Sequence, residues 1–193
     1  DDRAYERFNA AIAGRPDLMG ERKSLTLAAG MGGILENTFI NEKNTSKTIV
    51  ANVELKGKDR GVILTQGGKF GGWALYMDNG KPAYVYNYFG LESYTIASDK
   101  AITKDKAEIK LQFDYDGGGN GKGGMAMLYV DGKKVAEGRV EKTQPALYSA
   151  DETADVGEDE STQVADKVFT DVKDSDFTGF VKDVTISIPK KKK

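Results

Sequence analysis

Residues 73–88 read Trp73-Ala74-Leu75-Tyr76-Met77-Asp78-Asn79-Gly80-Lys81-Pro82-Ala83-Tyr84-Val85-Tyr86-Asn87-Tyr88. Two apolar and aromatic runs flank Asn79-Gly80, and Asn-Gly between such runs is the strongest short-range signal for a β-hairpin. The reason is steric: both central residues of a type I′ turn need positive φ, which Gly adopts freely and Asn tolerates. Asp131-Gly132 separates residues 125–130 from 134–140 in the same way. Working outward, Thr48-Ile49-Val50-Ala51-Asn52-Val53-Glu54-Leu55 alternates, with Ile49, Ala51, Val53 and Leu55 on one face. Residues 61–65 form a short apolar run suited to an inner strand, and 94–98, 107–115 and 180–188 complete at least nine candidate strands. Gly is abundant, at 23 residues against 4 Pro, which suits tight turns between many strands. An open sheet of that many strands would leave exposed edges, so the expected fold is all-β, antiparallel, with two packed sheets. No repeat of fixed period emerges, which argues against a propeller or solenoid.

The first 24 residues differ from the rest. Tyr5, Phe8 and Ile12 fall at spacings of three and four, with Asp2 as N-cap and Gly14 as stop, the pattern of one short amphipathic helix. Gly14-Arg15-Pro16-Asp17 then forces a turn. Such a helix either caps the following domain or belongs to a neighbour. The chain starts at Asp1 without a signal sequence, as expected of a processed or excised piece.

The 193 residues carry 28 basic and 30 acidic side chains, a formal charge of −2, with 39% hydrophobic and 30% charged residues. One domain of this size buries roughly 70% of its unfolded surface. The balanced charge gives no support to a nucleic-acid partner, which usually meets a strongly basic face. The longest apolar run, residues 125–130, falls far short of the roughly 18 to 20 residues that cross a bilayer, so no membrane partner is expected. There is no Cys and no His. Their absence excludes disulfides, thiolate nucleophiles, Ser-His-Asp triads and imidazole-bound zinc.

Three stretches have compositions that suggest chemistry. In the first, Asp114-Tyr115-Asp116-Gly117-Gly118-Gly119-Asn120-Gly121-Lys122-Gly123-Gly124, no Ser or Thr follows the Lys and a strand comes next, which excludes a phosphate loop. Met125 stands where an EF-hand needs a bidentate Glu. A wide β-turn is the favoured reading, with a cation held by Asp114, Asp116 and loop carbonyls as the alternative. The acidic run 151–160 places Glu152 and Asp155 three apart, so a strand would point them to opposite faces, a poor geometry for acid/base partners. A solvated charged loop is expected there, with a calcium or partner site as the alternative. Finally, Tyr84, Tyr86 and Tyr88 share a strand face and, with Trp73, make a candidate platform for stacking sugar rings; ordinary packing of a sheet face is favoured over it. Asn44-Thr45-Ser46 matches a glycosylation acceptor, a pattern common by chance.

Phe177-Thr178-Gly179-Phe180-Val181-Lys182-Asp183-Val184-Thr185-Ile186 resembles the closing strand of concanavalin A-like lectin/glucanase and laminin-G-like sandwiches. The wider chain resembles the C-terminal region of bacterial type I, formylglycine-dependent arylsulfatases. The resemblance runs through Ala13-Gly14-Arg15-Pro16-Asp17-Leu18-Met19-Gly20, Gly71-Gly72-Trp73-Ala74-Leu75-Tyr76, the Gly-rich stretch, and Ala150-Asp151-Glu152-Thr153 with Asp155-Val156-Gly157. It departs at Ser161-Thr162-Gln163-Val164, where Gly-Thr-Pro-Val is expected.

That resemblance implies a jelly-roll sandwich at residues 25–189, preceded by a helical linker at 1–24 and followed by a basic tail at 190–193. It implies a periplasmic or secreted parent, a sulfuric ester hydrolase, with the catalytic sulfatase domain as partner in cis. Formylglycine and calcium would sit in that absent domain. None of Pro16, Pro82, Pro145 and Pro189 lies in the Cys/Ser-x-Pro-x-Arg motif, so no catalytic, cofactor or metal residue is expected in this chain. Its expected role is to brace the catalytic domain or shape substrate access. The alternative is a lectin-like module for sulfated or acidic glycans, using Trp73, Tyr84, Tyr86 and Tyr88.

Overall fold

All nine expected strands are present, and three short ones join them. A computed structural model describes Gly14 and residues 18–189. In chain order the elements are β1 (Ser24–Leu27), β2 (Ile34–Leu35), β3 (Lys47–Glu54), β4 (Gly61–Gly68), β5 (Gly71–Asp78) and β6 (Lys81–Tyr88). They continue with β7 (Glu92–Ala97), β8 (Lys106–Tyr115), β9 (Lys122–Val130), β10 (Lys133–Lys142), β11 (Thr153–Val156), the single-turn helix α1 (Val172–Ser175) and β12 (Phe180–Ser187). The expected helix carrying Tyr5, Phe8 and Ile12, and the basic tail 190–193, lie outside the described residues.

Two six-stranded antiparallel sheets face each other. The first has the order β1-β12-β3-β8-β9-β10 and the second β2-β11-β4-β5-β6-β7. The two-residue turns are those the sequence dictates: Asn79 and Gly80 have φ of 51° and 79°, and Asp131 and Gly132 have 48° and 76°. Alternation in the first sheet sends Ile49, Ala51 and Val53 of β3, Ile109, Leu111 and Phe113 of β8, and Val184 and Ile186 of β12 inward. They meet Leu64, Trp73, Leu75, Met77, Tyr84 and Tyr86 of the second sheet in one core. Each large apolar side chain buried there contributes about 1.5–3 kcal/mol. Two glycines permit close approaches. A Cβ on Gly138 of β10 would lie 2.7 Å from Ile96 Cγ1 of β7, where the sheets close along one side, and a Cβ on Gly179 would lie 2.6 Å from the Glu54 carbonyl oxygen.

The central strands of the second sheet, β4, β5 and β6, are buried on both faces. A strap formed by residues 157–171 lays Val164, Ala165 and Phe169 over Val62, Ala74, Tyr76, Ala83 and Val85, with the Phe169 ring edge-on to Tyr76 at 5.5 Å. Arg60 fastens it: the guanidinium donates to the Val168 carbonyl at 2.6 Å and to Asp174, and lies 4.8 Å from the Phe169 ring centre. This accounts for the unbroken burial along β4, β5 and β6.

The acidic run 151–160 is not the solvated loop expected. Thr153–Val156 forms β11 beside β4, with Ala154 and Val156 in the core. Asp155, 1% exposed, accepts the Gly33 amide at 2.7 Å and the Thr153 hydroxyl at 3.1 Å. An inward Ala and Val outweigh their acidic neighbours because the carboxylate between them finds donors.

Candidate functional site

Three of the four aromatic candidates are core residues. Trp73 and Tyr84 are fully buried and Tyr86 is 2% exposed, so in this fold no sugar reaches them. They sit on the second sheet's central strands, which are covered on both faces, and their shared side is the inner one. Tyr88, nearer the end of β6, is half-buried against Phe89, with ring centres 4.8 Å apart.

The core aromatics instead surround a buried ion pair. Lys47 points inward from β3 and donates to Glu42 Oε2 at 2.7 Å, while Glu42 Oε1 accepts from Trp73 Nε1 at 2.9 Å and the Tyr148 hydroxyl at 2.6 Å. The ammonium lies 4.4 Å from the Trp73 ring centre. Burial pushes the Glu42 carboxyl up, but Lys47 and Lys43 outweigh it and its pKa falls below the ordinary value; burial draws the Lys47 ammonium down against the pull of Glu42. Sequence reading starts this strand at Thr48; in the structure Lys47 opens it, and its side chain belongs to the interior.

The Gly-rich turn is clamped by its own chain. The Tyr115 hydroxyl donates to the Gly119 carbonyl at 2.6 Å and accepts from the Lys122 amide at 2.9 Å, while Gly121 donates to Asn44 Oδ1 at 2.8 Å. Asp116 takes both terminal nitrogens of Arg139, at 2.8 and 2.5 Å, so its carboxylate is already neutralised by a cation. Asn44 also donates through Nδ2 to the Pro145 carbonyl at 2.7 Å, which gives the amide of the Asn-Thr-Ser triplet a structural task. Among the described residues no three acidic side chains converge as a metal centre.

The surface left for recognition is the outer face of the first sheet, which nothing in the described chain covers as the strap covers the second. Two rows of outward side chains cross it. Ser187, Thr48, Gln112, Met127 and Glu137 stand in register from β12 to β10, and Thr185, Val50, Lys110 and Tyr129 in the next row. Between β12, β3 and β8 lies an open depression of about 310 Å³, lined by Ser46, Thr48, Gln112, Asp114, Ser187 and Ile188 among others. Its volume is at the small end for ligand clefts, which run roughly 300–1,000 Å³. Hydroxyls, a primary amide and a carboxylate present both donors and acceptors. Gln112 Nε2 donates to Asp114 at 3.0 and 3.2 Å, so amide and carboxylate are held together. One carboxylate lines the depression, not the pair a glycosidase needs. Sequence reading named Asp114 only as a cation ligand and missed Thr48, Gln112 and Ser187, whose one signal is their outward position in alternating strands.

A second exposed feature is apolar. Phe70, Phe89 and Leu91, 71%, 43% and 79% exposed, project from the β4–β5 and β6–β7 turns. Buried Asn87 ties the turns together, donating to the Lys69 carbonyl at 2.8 Å and accepting the Gly90 amide at 2.9 Å.

No family model matches the chain, and no curated protein sequence does either. Solved structures do match. The carbohydrate-binding module CBM40 of the Ruminococcus gnavus IT-sialidase, bound to α2,3 sialyllactose, aligns over 86% of this chain and 89% of its own, with 14% identity and a TM-score of 0.54. Domains LG4-5 of the mouse laminin α1 chain align over 90% of this chain and 40% of theirs, at 9% identity and a TM-score of 0.51. The receptor-binding domain of a botulinum neurotoxin C/D mosaic serotype aligns over 86% and 39%, at 12% identity and 0.51. These likenesses establish the fold, a lectin-like jelly-roll sandwich of the concanavalin A type.

Proposed function

We propose that this chain is a carbohydrate-binding module that holds a short glycan on the open face of the first sheet. The observation that carries the reading is the depression itself, where Thr48, Gln112, Asp114 and Ser187, from three strands far apart in sequence, place hydroxyl, amide and carboxylate groups around one space. Sugar hydroxyls pair with such groups in both directions, and in the neighbouring row stands the half-buried Tyr129 ring, with the Lys110 ammonium 4.2 Å from its centre. The sialyllactose-bound module of similar fold supports the reading. Shallow, solvated sites bind weakly, and a dissociation constant near 1 mM corresponds to about 4 kcal/mol. The test is titration of the chain with a glycan panel by calorimetry and amide-resolved NMR. Saturable shifts at Gln112, weakened several-fold in Gln112→Ala, are expected; silence across the panel at tens of millimolar would refute it.

For the wider setting we propose the one the sequence resemblance implies: an accessory domain beside a catalytic sulfatase domain in an exported bacterial protein. The strings at 13–20 and 113–124 support it, and the family and curated comparisons add nothing to it. A Cys/Ser-x-Pro-x-Arg motif upstream in the same reading frame is the expected finding, and a parent lacking it removes the sulfatase setting without touching the glycan site.

A further inference from the structure

We infer that the depression selects a neutral glycan and disfavours one bearing a carboxylate or sulfate; the inference rests on the glycan-binding reading above. Asp114 is exposed, and the partner its carboxylate has is the uncharged Gln112 amide. Lys47 is itself among the lining residues, but its ammonium adds no free charge there, because the side chain runs inward to Glu42 and is 2% exposed. Three other cations on this face, Lys110, Arg139 and Lys134, are held elsewhere. Lys110 lies over the Tyr129 ring, 4.2 Å from its centre and on the side away from β12. Arg139 is bound to Asp116, and Lys134 to Glu137 at 2.7 Å. Asp183 of β12, two outward rows from the depression and outside its lining, accepts the Asn52 amide of β3 at 2.7 Å. A ligand entering between β12, β3 and β8 therefore meets acceptors, hydroxyl donors and unneutralised negative charge. Sugar hydroxyls donate well to a carboxylate, and the resulting charge-assisted bonds are stronger than neutral ones. Among the described residues that line the depression, an anionic group finds no free ammonium or guanidinium to receive it and is repelled by Asp114.

The experiment compares neutral and anionic sugars on the full chain. NMR and calorimetric titrations are run with lactose, cellotriose, maltotriose and mannotriose, and with α2,3 sialyllactose, sulfated lactose and oligogalacturonate. At low salt the best neutral sugar is expected to bind at least about five-fold tighter than any anionic one, the scale of one nearby surface charge. Raising the salt narrows the gap by screening. Asp114→Asn, checked for an unchanged fold by its amide spectrum, brings the two classes within about two-fold. Tighter binding of sialyllactose or a sulfated sugar at the Gln112 amide overturns this inference and leaves the glycan module standing; so does an anionic preference conferred by the four lysines after Pro189. If no sugar in either class shifts Gln112, both the inference and the glycan reading fall.

Discussion

Replacing Asp159 by asparagine isolates the electrostatics beneath the strap. The Asp159 side chain is 1% exposed; Oδ2 accepts the Val164 amide at 2.8 Å, whereas Oδ1 is buried without a hydrogen-bond partner. Burial lifts the carboxyl pKa from 3.8 to about 7, the Val164 amide opposes this in part, and the negative charges of Asp155 and Glu152 add to it. The folded chain therefore keeps a proton that the unfolded chain loses from about pH 4 upward. Since the native state binds more protons, stability falls as pH rises through the window from about 4 to about 7, then levels off once both states are ionised. Three pKa units at about 1.4 kcal/mol each set the full cost near 4 kcal/mol above pH 7. A neutral amide at this position has no charge to bury. Asp159→Asn should accordingly be nearly neutral at pH 4 and more stable than the parent by about 2–4 kcal/mol at pH 8. Urea unfolding, followed by the single Trp and by far-ultraviolet circular dichroism at pH 4, 6 and 8, measures the difference. A stability difference that does not change between pH 4 and pH 8, or a variant weaker than the parent at pH 8, would show that the carboxyl is not protonated in the fold.

Lys47→Met leaves the buried Glu42 carboxylate without its ion-pair partner and should cost about 3–5 kcal/mol in urea unfolding, whereas the double replacement with Glu42→Gln, whose amide oxygen can still accept from Trp73 and Tyr148, should recover much of that loss. A double variant no more stable than the single one would mean the pair is not buried as described. Phe169→Ala removes the ring that packs on Tyr76 and should cost about 3–5 kcal/mol. Limited proteolysis should then cut first within 157–171, and cutting elsewhere first would show that the strap does not depend on this contact.

The sequence revealed the strands whose signals are local. Asn79-Gly80 and Asp131-Gly132 determine their turns by backbone sterics alone, and the alternation of β3 is visible without any partner. β1, β2 and β11 are four, two and four residues long, too short for a period to register, and β11 is set in an acidic run that hides Ala154 and Val156. The aromatic question had a different obstacle. A period of two says that Tyr84, Tyr86 and Tyr88 share a side; which side is inner depends on the opposing sheet, and whether the other side is wet depends on a strap some eighty residues later. The depression was invisible for a related reason. Thr48, Gln112 and Ser187 are ordinary strand residues singly and become neighbours only through the register of β3, β8 and β12.

The one-sided covering of this sandwich divides labour along each strand of the first sheet. Ile49, Leu111 and Ile186 hold the interior, and the residues beside them, Thr48, Gln112 and Ser187, face outward, where Gln112 bonds Asp114 and Ser187 bonds Ser24. Specificity can therefore drift at every second position while the fold stays constant, and a new ligand preference needs no repacking. A library randomised at those outward sites would explore recognition on an unchanged chassis.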